Sequence, residues 1–129
     1  MCKINSNSEC KPPGDTTEIT TFIEDYLNEV NIPYDKYESA EKMFNLVASI
    51  GNGKGKELVY CGHTDVVPVG DLSKWEFNPF SGEVKDGWML GRGASDMKAG
   101  LAGIIFATKM LKKTKYRTTR EINTSYCTR

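Results

Sequence analysis

Apolar residues recur at helical spacing soon after the start of the chain. Ile19, Phe22, Ile23, Tyr26, Leu27 and Val30 fall on one stripe, and Asp15 with Glu18 three positions on makes a capping-box pattern behind Pro12-Pro13-Gly14. Core packing is a sufficient explanation for this stripe, so its residues are assigned no chemistry. Residues 34–38 and 44–50 read as strands. Gly51-Asn52-Gly53-Lys54-Gly55-Lys56 is the turn that returns the chain into a further strand at Glu57–Gly62. Leu58-Val59-Tyr60-Cys61 is apolar throughout, which predicts an interior strand. Asp86-Gly87 between Val84 and Trp88 predicts a tight hairpin over 83–90. A last helix is predicted from about Met97 to Lys112. Its uncharged stretch Ala99–Ala107 predicts burial against the sheet, with close backbone approach at Gly100 and Gly103. Lys109, Lys112 and Lys113 suit its C-terminal dipole. There is no internal repeat and no long linker.

At 129 residues the chain is long enough for one modest domain with a real core. Its formal net charge of zero hides an asymmetry. Residues 1–108 hold ten Lys/Arg against sixteen Asp/Glu, whereas residues 109–129 hold seven Lys/Arg against one Glu. The threonine-rich, basic end lacks both an amphipathic period and interleaved aromatics. It is therefore read as an unpacked tail over 114–129, with neither nucleic acid nor membrane as a partner. Cys2, Cys10, Cys61 and Cys127 contain no C-x-x-C pair and read as reduced thiols, and no four-ligand zinc ribbon is encoded. No signal-like opening occurs, and no apolar run approaches the roughly twenty residues that cross a bilayer. The expected location is the cytoplasm.

Candidate chemistry begins at residues 62–68, Gly-His-Thr-Asp-Val-Val-Pro, which contain the single histidine of the chain. On an extended segment the i and i+2 side chains share a side, so His63 can bind a metal while Asp65 holds its other ring nitrogen. A capping histidine beside a turn-forming aspartate is the bland alternative. Further on, Gly91-Arg92-Gly93-Ala94-Ser95-Asp96-Met97-Lys98 delivers Asp96 to the start of the last helix. Asp96 either caps that helix or ligates a metal near His63, both residues then lying at strand ends, where open α/β folds place their sites. Neither glycine-rich segment suits a nucleotide. Residues 51–56 lack the Lys-Ser/Thr pair that opens a helix, and Asp96 stands where a third glycine would admit a pyrophosphate. Arg92 is expected to brace its loop by pairing with an acid.

From Leu58 to Leu111 the chain resembles the M20 metallopeptidase family, which contains acetylornithine deacetylase, succinyl-diaminopimelate desuccinylase, glutamate carboxypeptidase and the aminoacylases. The motifs at residues 62–68 and 91–100 and the Trp75, Pro79, Phe80 segment between them carry the resemblance. It implies an α/β fold, a partial three-layer catalytic domain with a mixed, mainly parallel sheet flanked by helices, of which residues 1–113 form the N-terminal part. It also implies hydrolysis of an amide bond in an N-acyl amino acid or small peptide, with two zinc ions (Co2+ or Mn2+ as substitutes) and frequent homodimers among full-length relatives. His63 would be a ligand of one metal, Asp96 would bridge both, Asp65 would orient His63, and the Asp96–Met97 peptide would be cis.

The resemblance stops near Lys113. Family members continue into a strand ending in an acidic pair, one residue of which is the general base, and then supply further ligands including a late histidine. Here the only later acid is Glu121. Two readings follow: the N-terminal part of a zinc-dependent deacylase or peptidase, inactive alone, or a catalytically inactive binding module on the same scaffold.

Overall fold

The computed structural model describes residues 1–7, 14–54, 56–114 and, for the backbone alone, 121–127. Pro12, Pro13, Gly55 and Cys10 lie outside the described residues, as does the basic run 115–120.

Helix α1 spans Thr17–Glu29 and buries Ile19, Thr20, Ile23 and Leu27. Phe22, expected on the same stripe, is turned outward and is 43% exposed. Nor does Asp15 cap in the expected way. Its Oδ1 accepts from Thr17 N at 2.8 Å, while Thr16 occupies the cap position without a side-chain capping bond. The hydroxyl of Thr16 is engaged elsewhere: Oγ1 donates to Lys42 O at 3.1 Å and accepts from Phe44 N at 3.0 Å. One short side chain thus pins the start of the helix to the following hairpin. At the other end Asn31 takes φ 53° and donates to Asn28 O at 3.0 Å, the left-handed stop that asparagine tolerates.

Strands β1 (Tyr34–Ala40) and β2 (Met43–Ile50) form that hairpin, and β3 spans Glu57–His63. The predicted tight hairpin is present as β4 (Glu83–Lys85) and β5 (Trp88–Leu90), with Asp86 and Gly87 both at positive φ. Helix α2 covers Ala99–Lys113, and β6 covers Glu121–Cys127. The main sheet has the order β1-β2-β6-β3. β6 runs antiparallel to β2, from Leu46↔Tyr126 to Ile50↔Ile122, and parallel to β3, from Glu57↔Glu121 to His63↔Cys127.

The fold is α/β with a mixed sheet, as expected, but three of its details differ. First, residues 121–127 are paired on both sides rather than unpacked. The net charge of the end obscured an alternation in Glu-Ile-Asn-Thr-Ser-Tyr-Cys, whose β-branched and aromatic residues favour a strand. Second, among the described strands one pairing of the main sheet is parallel and two are antiparallel. Third, β3 is an edge of the described sheet, and Leu58, Val59 and Tyr60 are 45%, 57% and 42% exposed.

A single core joins Ile19, Ile23 and Leu27 of α1 to Leu46, Ala48 and Ile50 on one face of β2 and to Leu101 and Ile105 of α2. A second helical layer is not among the described elements. Helix α2 buries only Leu101, Ile105 and Thr108, whereas Phe106 is 59% exposed. A Cβ on Gly100 would meet Met97 Cε at an ordinary 3.4 Å, and among the described residues one on Gly103 would meet nothing within 4 Å. The close approach lies instead at Gly62, where a Cβ would come within 3.1 Å of both Leu101 Cδ1 and Met97 Cε. Two small steps in packing follow: Gly62 lets α2 down onto the end of β3, and His63 is thereby held beside the loop that carries Asp96.

Candidate metal centre

His63 is the last residue of β3, and its main-chain N–H points at Met97 Sδ, 3.4 Å away. Ala94–Lys98 is a kinked turn before α2, in which Asp96 (φ −116°, ψ 99°) and Met97 (φ −134°, ψ 30°) are not helical, and the Asp96–Met97 peptide is cis, as the resemblance implied. Because α2 starts after this turn, Asp96 does not cap it. The carboxylate is released toward His63.

The two proposed ligands meet. His63 Nε2 lies 2.9 Å from Asp96 Oδ1. On the other side of the ring, Nδ1 faces the main-chain oxygen of Asp65 at 3.1 Å and its Oδ1 at 3.4 Å. Asp65 is therefore placed to orient the ring, with its carbonyl nearer than its carboxylate. Asp65 is 3% exposed, while the Asp96 side chain is 75% exposed. One partner is fixed in the interior and the other reaches into solvent.

Proton counting shows what this arrangement suits. Both ring nitrogens face only acceptor oxygens, yet a neutral imidazole carries a single N–H. With the proton on Nδ1, the lone pair of Nε2 confronts a carboxylate, an arrangement satisfied by a cation between them or by a second proton. Imidazole plus carboxylate is a donor set that suits zinc, cobalt or manganese. Donors on a tetrahedral zinc with bonds near 2.1 Å stand about 3.4 Å apart. The pair would have to open by only a few tenths of an ångström. The set is incomplete, since among the described residues no group of three or more His, Cys, Asp or Glu side chains converges on one point.

A cavity of about 310 Å³ opens over this pair, lined by His63, Asp65, Arg92, Ser95 and Asp96 among others. Among the described residues Arg92 pairs with no acid, contrary to expectation. Its Nη2 donates to Pro68 O at 3.2 Å and its guanidinium lies over the Trp75 ring at 5.0 Å. Trp75 in turn donates from Nε1 to Val69 O at 2.8 Å and meets Phe77 edge-on at 5.5 Å. The loop is braced by an aromatic face and a carbonyl. Sequence reading also passed over Lys98. It is 1% exposed, its Nζ donates to Ile4 O at 2.7 Å, and burial pushes its pKa below the usual lysine value while nearby Cys2 and Glu18 oppose that shift. The signal was a lysine just before the uncharged stretch Ala99–Ala107, which reads as solvent-facing without the structure.

The pattern of the peptidase family M20/M25/M40 matches residues 59–125. The chain belongs to this family. The match runs on past Lys113 through most of β6, so the resemblance ended too early in the sequence reading. The chain is 55% identical over 92 residues to the succinyl-diaminopimelate desuccinylase of Methylorubrum populi, an alignment covering 68% of this chain and 24% of that protein. Among solved structures, an M20 metallo-carboxypeptidase of Sulfolobus solfataricus superposes with a TM-score of 0.81 and 26% identity, covering 97% of this chain and 28% of that one. A dinuclear metal-binding M20 peptidase of Bacillus subtilis gives a TM-score of 0.56 at 20% identity, covering 85% of this chain and 29% of that one. That last likeness is one of fold alone. The chain spans about a quarter or less of the length of the curated desuccinylase relatives it matches.

Proposed function

We propose that this chain forms the part of an M20 amide-bond hydrolase in which His63 and Asp96 would help to hold a pair of zinc ions. The observation carrying this reading is the 2.9 Å approach of His63 Nε2 to Asp96 Oδ1 with Asp65 behind Nδ1. A bound metal supplies activation of water at neutral pH and polarisation of the amide carbonyl. The residues of this chain hold and orient. His63 offers Nε2, Asp65 fixes the tautomer that exposes it, and Asp96 can give one oxygen to each of two ions. After α2 the only acid is Glu121, so the chain brings no acidic pair to serve as general base.

The substrate class in this reading is an N-acyl amino acid. The desuccinylase relatives favour a short acyl chain ending in a carboxylate, and Arg92 of the cavity lining gives Nη2 to Pro68 O and its face to Trp75. Cobalt or manganese substitutes for zinc, the protein works in the cytoplasm, and homodimers form in the full-length context. On its own the 129-residue chain turns over no substrate.

A chimera tests this. Residues 1–113 replace the aligned part of the Methylorubrum populi desuccinylase, and metal-dependent release of succinate is measured. Activity is expected, with loss of at least a hundredfold for His63→Ala or Asp96→Ala. A folded chimera without activity would favour the second reading, a binding module that keeps the scaffold.

A further inference from the structure

The loops that carry His63 and Asp96 are far apart in sequence, and residues 1–7 touch both. Ser6 Oγ donates to Thr64 O at 2.7 Å, and Ser6 O accepts from Val66 N at 2.8 Å. Asn7 continues this as a parallel bridge to Val66. These contacts clasp the backbone on both sides of Asp65. A few residues earlier, Ile4 O accepts from Lys98 Nζ at 2.7 Å, and Met1 O lies 3.4 Å from the same ammonium. Lys98 follows Asp96 by two positions. Ser6, Thr64 and Lys98 are 0%, 2% and 1% exposed, so water does not compete for these bonds.

Lys98 makes no salt bridge among the described residues; its head is spent on main-chain carbonyls. A buried ammonium is expensive, and an apolar side chain of similar volume would fill the space more cheaply if packing alone were needed. What the ammonium adds is direction.

We propose that residues 1–7 are a strap that sets the separation of His63 and Asp96, with Ser6 and Lys98 as its positioning residues. As a metal-site device it rests on the function proposed above; as a statement about the two loops it does not. Tension on one end of the strap is felt at Thr64-Asp65-Val66 and on the other at the turn behind Asp96. Loosening either end lets the His63–Asp96 pair part.

The single histidine makes this measurable in the 129-residue chain, because its imidazole gives one pair of 15N signals. Ser6→Ala, Lys98→Met and the double variant are compared with the parent, with Ile23→Val as a variant that lowers stability in the shared core while leaving every hydrogen bond of the strap in place. Without metal, each strap variant is expected to move the Nε2 signal toward that of free imidazole, while Ile23→Val leaves it in place. In a zinc titration followed at the same ring, each weakens binding at least fivefold. The double variant is less than twofold worse than the weaker-binding single, since both act through one segment. Folded strap variants with parental ring signals and zinc affinity within twofold would overturn the proposal. If Lys98→Met fails to fold, Ser6→Ala, which removes one oxygen, decides alone. A parent chain whose ring ignores zinc would refute the metal reading, and the metal-free signals would still judge the strap.

Discussion

At the scale of the residue, the two segments around His63 and Asp96 were legible because each needs an unusual side chain at a fixed place. The single histidine at a strand end and a carboxylate ending a glycine-rich turn are found 2.9 Å apart. Asp65→Ala should leave a folded domain whose metal affinity is reduced roughly 10–100-fold, measured by zinc titration of the chimera. A loss below twofold would reduce Asp65 to a turn former. Gly93 carries a second prediction. It has φ 76°, and a Cβ there would collide with Val66 Cγ1 beside Asp65. Gly93→Ala combines a left-handed backbone with overpacking and should cost about 2 kcal/mol or more in urea unfolding. Arg92, Lys98 and Ser6 were not legible, because their partners are carbonyls and a ring that no sequence spacing specifies.

Elements were read well where periodicity is strong and less well where charge or composition suggested a different environment. α1, the β1–β2 hairpin and the β4–β5 turn lie close to where the pattern of apolar and turn residues places them. β6 was hidden, because a window of net charge says nothing about alternation within it. Since residues 121–127 pair with β2 and β3 at once, deleting 115–129 should destabilise the chain by far more than the roughly 0.5 kcal/mol typical of an unpacked surface segment. Urea unfolding of the shortened chain decides it, and a change within that range would return the segment to a tail. The turn Leu72–Lys74 gives a pH prediction. Side-chain and backbone hydrogen bonds from Ser73 hold the Asp71 carboxyl below its ordinary value of 3.8. A depressed folded value means that this cap stabilises the turn above pH 3.8 and is lost as pH falls through the lower folded value. Amide shifts of Ser73 should therefore titrate below 3.8, and Asp71→Asn should abolish that transition.

For the whole molecule, one core joins both helices to a single face of the sheet, and the site lies at the C-terminal end of β3 above it. Among the described residues nothing packs on the exposed Val59 of the sheet or Phe106 of α2, and in the proposed metal site His63 and Asp96 are the ligands they bring. This agrees with a chain that covers about a quarter of its M20 relatives. Such a chain can build the His63–Asp96 pair without completing the catalytic machinery around it. Zinc calorimetry on the 129-residue chain tests this division most directly. The account predicts one weak binding event that disappears in both His63→Ala and Asp96→Ala. Tight binding of two zinc ions, unchanged by His63→Ala, would contradict it.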